Sequence, residues 1–294
     1  MSSQTTTPLP LVDHIVILIP HSYLSAPPPW FADLFTFYPG GQHADGLTEN
    51  TLALLADGSY IEFIAFVPGA DPARRARHQW GRKHEGEVVD WAVTLPPGGL
   101  EQKEKTFQAI QQKVRDADTG IVYGDLVRGG RIRPDGEVLE WGVAFPKKAS
   151  DGSPVDPGTV PFWCLDVTPR HLRVPYDGPD DSAWTKHPSG AVGVAGIHVT
   201  RSAETVKSAG GVYDVLLGKA SSAEATTGWK IRTLDGEKVH SDAEVRLATS
   251  RKGEATVKIS FFTDDMSLAG KTVGGKVNEE HGLEFYLAPA FGSE

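Results

Sequence analysis

A short unit of secondary structure, an apolar strand followed by a helix and a cluster of strands, recurs three times along this chain. The copies span residues 11–66, 88–166 and 194–287. Each copy opens and closes on an apolar strand, as Leu11–Leu18 and Tyr60–Phe66 do in the first. A unit of this size cannot enclose a core alone, so the copies must pack against one another. The space between them is the natural place for a binding site.

Clusters of Gly, Pro, Asp and Ser set the expected boundaries of these units. We expect a disordered tail over 1–10, a first unit over 11–68, a second over 85–175, a linker over 176–190 and a third unit over 191–290. Helical spacing of apolar residues predicts helices near Leu100–Asp116 and Ala203–Leu217, the latter ended by Gly218. Asp57-Gly58 predicts a hairpin turn between two strands of the first unit.

Composition limits the class of protein. The 294 residues are 39% apolar and 23% charged, which fits a soluble globular protein. No apolar run approaches the roughly 20 residues that span a bilayer, so no membrane association is expected. A single cysteine, Cys164, excludes an internal disulfide framework and favours a reducing, cytoplasmic location. The net charge of -9 argues against nucleic acid as a partner.

Several catalytic motifs are missing from the sequence. It contains no GxSxG nucleophile elbow, no GxxxxGK[ST] phosphate loop and no GxGxxG after a strand. We therefore expect no nucleotide cofactor, and a small molecule as the principal partner.

Two copies carry a histidine on the opening strand and a glutamate on the closing strand. These residues are His14 with Glu62, and His198 with Glu284. Inside apolar strands a carboxylate is costly to bury unless it meets a partner or a cation. Imidazole and carboxylate together suit a divalent metal such as Zn, Ni, Mn, Fe or Co. We expect these four residues to bind a metal, against the alternatives of a His–Glu hydrogen bond or a glutamate on a solvated sheet face.

Further candidates lie in two glycine-rich segments, 40–50 and 129–136. His43 could bind a metal, move a proton or fix its loop, and Arg131 could clamp an anionic group or form a surface salt bridge. The expected catalytic residues are His43, Glu62 and Arg131, and the expected substrate pocket comprises Asn50, Trp91, Trp141 and Arg173.

The segments that carry these candidates resemble the glyoxalase-like domain of the vicinal oxygen chelate superfamily. The resemblance rests on 11–16, 40–46 with Asn50, 57–66, 89–92, 129–131 and 168–175, and it covers about 11–175. It implies an α+β fold in which paired βαβββ units form cupped mixed sheets around a cavity. Metal-using members take their ligands from the first and last strands of a unit, which matches both His–Glu pairs.

The resemblance implies a small-molecule enzyme that acts on a carbonyl or vicinal-oxygen compound, with lyase or isomerase chemistry ahead of ring-cleaving dioxygenation. A metal at His14 and Glu62 would polarise the substrate, His43 would move a proton and Arg131 would orient an anionic or polar group. The alternative is a non-catalytic protein that sequesters an apolar compound in an aromatic-lined cavity.

The second unit departs from the ligand pattern. When the first and second units are aligned, Trp91 corresponds to His14 and Cys164 corresponds to Glu62. A four-ligand site would therefore need the third unit, or a partner chain, to face the first. Otherwise the third unit would only pack or form the interface of a homodimer.

Overall fold

The computed structural model describes residues 8–133, 135–178, 183–223, 226–239, 242–251 and 253–290. The helices are α1 (Pro29–Ala32), α2 (Pro72–Arg77), α3 (Leu100–Asp116), α4 (Arg170–Arg173) and α5 (Ala203–Leu217), with 3-10 turns at His21–Leu24 and Gly236–Lys238. The strands up to residue 166 are β1 (Leu11–Leu18), β2 (Tyr38–Gln42), β3 (Thr48–Leu54), β4 (Tyr60–Phe66), β5 (Glu87–Thr94), β6 (Ile121–Tyr123), β7 (Val127–Ile132), β8 (Val138–Ala144), β9 (Pro146–Lys148) and β10 (Phe162–Asp166). The later strands are β11 (Ala191–Arg201), β12 (Ser221–Ala223), β13 (Thr226–Ile231), β14 (Ala243–Thr249), β15 (Thr256–Thr263), β16 (Thr272–Lys276) and β17 (Gly282–Pro289).

The first large sheet is mixed and has the strand order β2-β3-β4-β1-β5-β10-β8-β7. β1 runs parallel to β4 and antiparallel to β5, and β5 runs parallel to β10. Its two edges approach each other: a bridge joins His43 to Arg131, and the amide of Ala44 donates to the carbonyl of Gly130 at 3.2 Å. The sheet therefore curls into a nearly closed cup, which confirms the expected α+β fold.

The second large sheet has the order β12-β13-β14-β11-β15-β17-β16. It repeats the pairing of the first, with β11 parallel to β14, antiparallel to β15, and β15 parallel to β17. Within the part of the chain that the structure describes, this sheet has seven strands and no counterpart of β7. The second sheet therefore stays open on the side where the first one closes.

This topology changes the expected division of the third unit. The segment 282–287 was expected to close the unit that β11 opens, yet the strand parallel to β11 is β14. β15, β16 and β17 form a second half that occupies the places of β5, β8 and β10. Residues 191–290 thus contain two halves of a sheet rather than one unit.

A single hydrophobic core joins the two sheets. It includes Ile15 and Phe63 from the first sheet, Phe261 from the second, and Phe107 and Tyr213 from helices α3 and α5. Both long helices begin and end where the sequence predicted, and Gly218 follows α5 at φ 89°. The opposite faces of the sheets point away from this core, so each sheet presents one face on which a site can form.

The predicted linker, 176–190, packs onto the first sheet where it is described. His187 donates from Nε2 to the carbonyl of Leu54 at 2.8 Å and accepts from the amide of Thr36 at 3.0 Å. Of the predicted tail, residues 1–7 lie outside the described residues. Among those that are described, no helix combines the length and apolar character that crossing a membrane requires.

Candidate functional site

The concave face of the first sheet lines a cavity of about 450 Å³. One part of the lining is polar and comprises His14, His43, Asn50, Glu62, Arg131 and Arg173. An apolar part includes Trp80, Trp141, Val143, Phe145, Phe162 and Cys164, and further polar residues, among them Asp45, Arg77 and Arg128, complete the lining. This volume lies within the range of small-molecule pockets, roughly 300–1,000 Å³.

The centre of the polar part is the carboxylate of Glu62, which lies between two imidazole rings. Its Oε2 is 3.6 Å from Nε2 of His14, and its Oε1 is 3.4 Å from Nε2 of His43. His14 comes from β1 and Glu62 from the adjacent parallel strand β4, while His43 follows β2. The structure thus brings together three residues that the sequence singled out.

Asn50 fixes the glutamate in place. Its Nδ2 donates to Oε1 of Glu62 at 2.6 Å, and its Oδ1 accepts from the amide of Gly41 at 3.1 Å, which sets the orientation of the side-chain amide. A Cβ on Gly40 would lie only 2.1 Å from both the backbone oxygen and Oδ1 of Asn50. The glycine pair of the sequence therefore makes room for the residue that holds Glu62.

A second carboxylate orients His14 from behind. A bulge in β1 at Asp13 places its Oδ2 2.6 Å from Nδ1 of His14. A proton on Nδ1 shared with Asp13 would leave Nε2 available as a ligand, the arrangement in which outer carboxylates hold metal-binding histidines. Asp13 is itself paired with the guanidinium groups of Arg170 and Arg173.

The charges of this network control its protonation. Burial alone would raise the pKa of Asp13, but the charges of Arg170 and Arg173 outweigh it and hold the pKa well below its usual range. Burial also acts on Glu62, yet the hydrogen bond and charge of His43, with the charge of His14, lower its pKa to about 2. Both carboxylates are therefore ionised near neutral pH.

One cluster of metal-ligand types, Asp13, His14 and Cys164, places its ligand atoms within 4.8 Å of one another. It does not suit a cation, because Asp13 is already neutralised by two arginines. Burial raises the pKa of the Cys164 thiol well above its usual value, so the thiolate ligand is disfavoured.

The donor atoms on the cavity side are of types that suit a cation better. Nε2 of His14 is 3.6 Å from Oε2 of Glu62, and Nε2 of His43 is 3.4 Å from Oε1, so each imidazole meets a different carboxylate oxygen. The three residues do not place one ligand atom each within 4.8 Å of one another, so an ion bound by all three would require side-chain rotation. Two ligands of a tetrahedral ion stand about 3.4 Å apart when each is about 2.1 Å from the metal. Two imidazoles and a carboxylate are also a common set for first-row divalent metals.

The aromatic part of the lining depends in part on the basic segment 74–84, whose charge run indicates a solvated connection or, alternatively, a cap for an anionic substrate. Trp80 follows α2, is 5% exposed, and donates from Nε1 to Oδ2 of Asp90 at 3.0 Å. Trp141 also lines the cavity, and a Cβ on Gly129 would lie 2.8 Å from its indole nitrogen. The sequence does point to Asp13 and Asp90 as unusual positions, because each is a carboxylate inside an otherwise apolar strand.

Trp91, expected in the pocket, lies in the core between the sheets instead. Its ring is fully buried, 6.2 Å from that of Tyr213. In the antiparallel pair β1 and β5, His14 stands opposite Ala92, whereas Trp91 stands opposite Ile15. Neighbouring residues of a strand point to opposite faces of the sheet. The expected alignment of Trp91 with His14 was one residue out of register, so the prediction for Trp91 was wrong.

His198 and Glu284, the second expected metal pair, are not brought to the cavity. His198 lies on the open face of the second sheet, with Arg246 and Lys258 as its partners on the neighbouring strands. Glu284 is exposed on β17, which β15 separates from β11. Glu244 pairs with Arg246 at 2.6 Å, and no second ligand residue from β17 reaches His198, so the expected His198–Glu284 pair does not form.

Residues 12–210 match the sequence model of the family described as glyoxalase-like domain. This match extends over more than half of the chain. The chain belongs to the glyoxalase-like domain family. The family is part of the vicinal oxygen chelate superfamily, whose members are often metal-dependent enzymes, and both large sheets have its paired topology. Curated proteins include none whose sequence matches this chain.

Solved structures extend the similarity of fold beyond the family match. A hypothetical protein from Staphylococcus aureus is 12% identical, with a TM-score of 0.65 over 94% of this chain and 98% of that one. An extradiol ring-cleaving dioxygenase from B. fuscum is 8% identical, with a TM-score of 0.44 over 97% and 74%. A glyoxalase I variant from Zea mays is 15% identical, with a TM-score of 0.34 over 82% and 70%. Only the first is similar enough to show the shared fold, and none bears on the reaction.

Proposed function

We propose that this protein is a metal-dependent enzyme that acts on a small carbonyl or vicinal-oxygen compound, with lyase or isomerase chemistry. The observation that carries the proposal is the ionised carboxylate of Glu62 between the Nε2 atoms of His14 and His43. A divalent ion bound there would act as a Lewis acid on a carbonyl or on adjacent oxygens.

The residues around the ion would have separate tasks. Asp13 holds Nδ1 of His14, so Nε2 is available as a ligand. Asn50 fixes the rotamer of Glu62, and Thr48 holds Nδ1 of His43 at 2.7 Å. The side chain of His43 is more exposed than that of His14, so His43 would either complete the ligand set or, with the ion held by His14 and Glu62, move a proton through Nε2.

The aromatic lining supports a second candidate function, sequestration of an apolar compound without catalysis. Trp141, Phe145 and Phe162 present apolar surface to the same cavity, and a Phe145–Phe162 stack with ring centroids 4.9 Å apart stiffens it. Such a binder would need neither His14 nor Glu62.

Turnover separates the two functions. The protein is loaded in turn with Zn, Ni, Mn, Fe and Co, and a panel of 2-oxo aldehydes, hydroxy ketones and catechols is followed by proton NMR. We expect conversion of at least one class by the loaded protein, at least 100-fold slower with Glu62→Gln and unchanged with Glu284→Gln, since Glu284 lies on the other sheet.

Two results would contradict the enzyme. One is equal turnover by Glu62→Gln and the parent. The other is tight binding of a panel compound without conversion, weakened by Trp141→Ala but not by Glu62→Gln, which would establish the sequestering protein instead.

A further inference from the structure

The cavity contains a buried cation that forms no ion pair among the described residues. Burial lowers the pKa of this group, Arg131, although the charge of Glu62 acts to raise it. Arg131 is 4% exposed, and its Nη1 donates to the carbonyl of Gly40 at 2.9 Å. Its Nη2 is buried and has no hydrogen-bond partner among the described residues. An unpaired guanidinium in such a place is costly, so a compensating group is to be expected from outside the chain.

The other buried arginine of the lining shows what compensation looks like. Arg173 is 5% exposed, and its guanidinium contacts Asp166 at 2.6 Å, Asp13 at 3.3 Å and the hydroxyl of Tyr60 at 2.5 Å. The charge of Arg173 is therefore neutralised by carboxylates of the protein itself. Arg131, on the same cavity, forms no ion pair with a carboxylate of the described residues.

The position of Arg131 ties it to the centre of the site. Its backbone bridges to that of His43, whose ring contacts Glu62. A ligand atom that meets Arg131 is consequently close to the proposed metal. Aromatic side chains line another part of the cavity. The exposed Arg77 and Arg128 add positive charge to the lining and the exposed Asp45 adds one negative charge, on a chain of net charge -9.

We propose that the substrate is a small organic anion, whose carboxylate pairs with Nη2 of Arg131 while its apolar body packs on Trp141 and Phe162. The inference rests on the proposed function for the identity of the site, and it adds the substrate class. A guanidinium matches a planar carboxylate well, and Trp and Phe faces match an apolar or aromatic body. Arg77 would favour the approach of such an anion over a neutral analogue.

The test compares two probes of the same shape on protein stripped of metal with a chelator. The acid is 3-phenylpropanoate and the neutral analogue is 3-phenylpropanamide, and binding is measured by calorimetry and by tryptophan fluorescence. We expect the unaltered protein to bind the acid at least tenfold more tightly than the amide. Trp141→Ala should weaken both probes alike.

Two arginine variants localise the preference. Arg131→Gln should reduce the preference for the acid to within about twofold, a loss of roughly 1.4 kcal/mol for each factor of ten. The matched control is Arg133→Gln, whose guanidinium is already paired with Asp135 at 2.6 Å and bonded to the carbonyl of Leu172. It should keep the full preference.

Equal affinities for acid and amide in the unaltered protein would overturn the inference, as would no binding of either probe at millimolar concentration. This comparison does not depend on the folding of any variant. An equal loss of preference in Arg131→Gln and Arg133→Gln would also overturn it. Because no metal is present, a preference for the acid stands even if the metal-dependent enzyme is disproved, and its absence leaves metal binding untouched.

Discussion

The two large sheets share one strand order and one pattern of parallel and antiparallel pairs, yet they present very different concave faces. In the first sheet the edges meet through His43 and Arg131, and the face becomes a cup around a cavity. In the second, as far as the chain is described, no strand occupies the place of β7, and the face stays open. Topology alone therefore does not make a site.

The residues at the centre of each face differ in the same way. In the first sheet Glu62 meets two imidazoles, and Asp13 supports one of them. In the second, His198 stands between Arg246 and Lys258, and burial followed by the charge of Arg246 lowers its pKa. The first face has a carboxylate at its centre and the second has a histidine between two cationic side chains, so the predictions below set the two sheets against each other.

The largest expected effect concerns one glycine in each sheet, Gly40 on β2 and Gly228 on β13. Gly40→Ala places a Cβ 2.1 Å from the backbone and side chain of Asn50, which cannot move without releasing Glu62. We expect the free energy of unfolding to fall by about 3 kcal/mol or more. Gly228→Ala in the second sheet meets only the end of the Glu244 side chain, at 2.7 Å, and should cost less than about 1 kcal/mol. Urea denaturation measures both, and similar losses would contradict the difference between the sheets.

The next effect is a pH dependence from His187, which joins the linker to the first sheet. Burial lowers its pKa to about 4, against an unfolded value of 6.5. Its contribution to stability is full above pH 6.5 and is lost as the pH falls towards 4, by about 3 kcal/mol in total. His187→Gln should remove this loss, whereas His198→Gln on the open sheet should remove a smaller one.

The comparison of each variant with the parent isolates the contribution of that histidine to the pH dependence of stability. Burial raises the pKa of Asp57 to about 6 and that of Asp90 to about 7, so these groups give the opposite slope in every protein compared. Thermal unfolding between pH 4 and 7 provides the measurement. A parent and a His187→Gln variant with parallel pH profiles would refute the assignment.

The smallest expected effect concerns how readily a thiol reagent reaches a cysteine on each sheet. Cys164 lines the cavity of the first sheet and is buried, and burial raises the pKa of its thiol. We expect Ellman's reagent to modify it at least tenfold more slowly than a cysteine placed at Ala288, on the open face of the second sheet, in a Cys164→Ser background. Equal rates would show that the first cup opens as readily as the second sheet.

Much of the fold was accessible from the sequence because its signals are local. The amphipathic period of Leu100–Asp116, the Gly218 stop and the Asp57-Gly58 turn each depend on nearby residues only. The pairing of His14 with Glu62 was also predicted, since a charged group inside an apolar strand needs a partner.

The errors concern long-range pairing. Which strand lies beside β11 is decided by the whole sheet, and an apolar closing strand at 282–287 looks like the one at 243–249. The prediction placed Trp91 in the pocket because it aligned Trp91, rather than Ala92, with His14. An error of one residue assigns a side chain to the wrong face of the sheet, and composition does not reveal it. The role of Asp13 depends on a bulge in β1, and that of Trp80 depends on a segment between strands that folds over the cavity.

The central claim is that the first cup holds a metal and the second sheet does not. Elemental analysis of the purified, untagged protein tests it, beside His14→Ala and the matched His198→Ala. We predict close to one divalent ion per chain in the parent and in His198→Ala, and none in His14→Ala. No metal in the parent after incubation with Zn, Ni, Mn, Fe and Co salts, or an equal loss in both variants, would contradict the account.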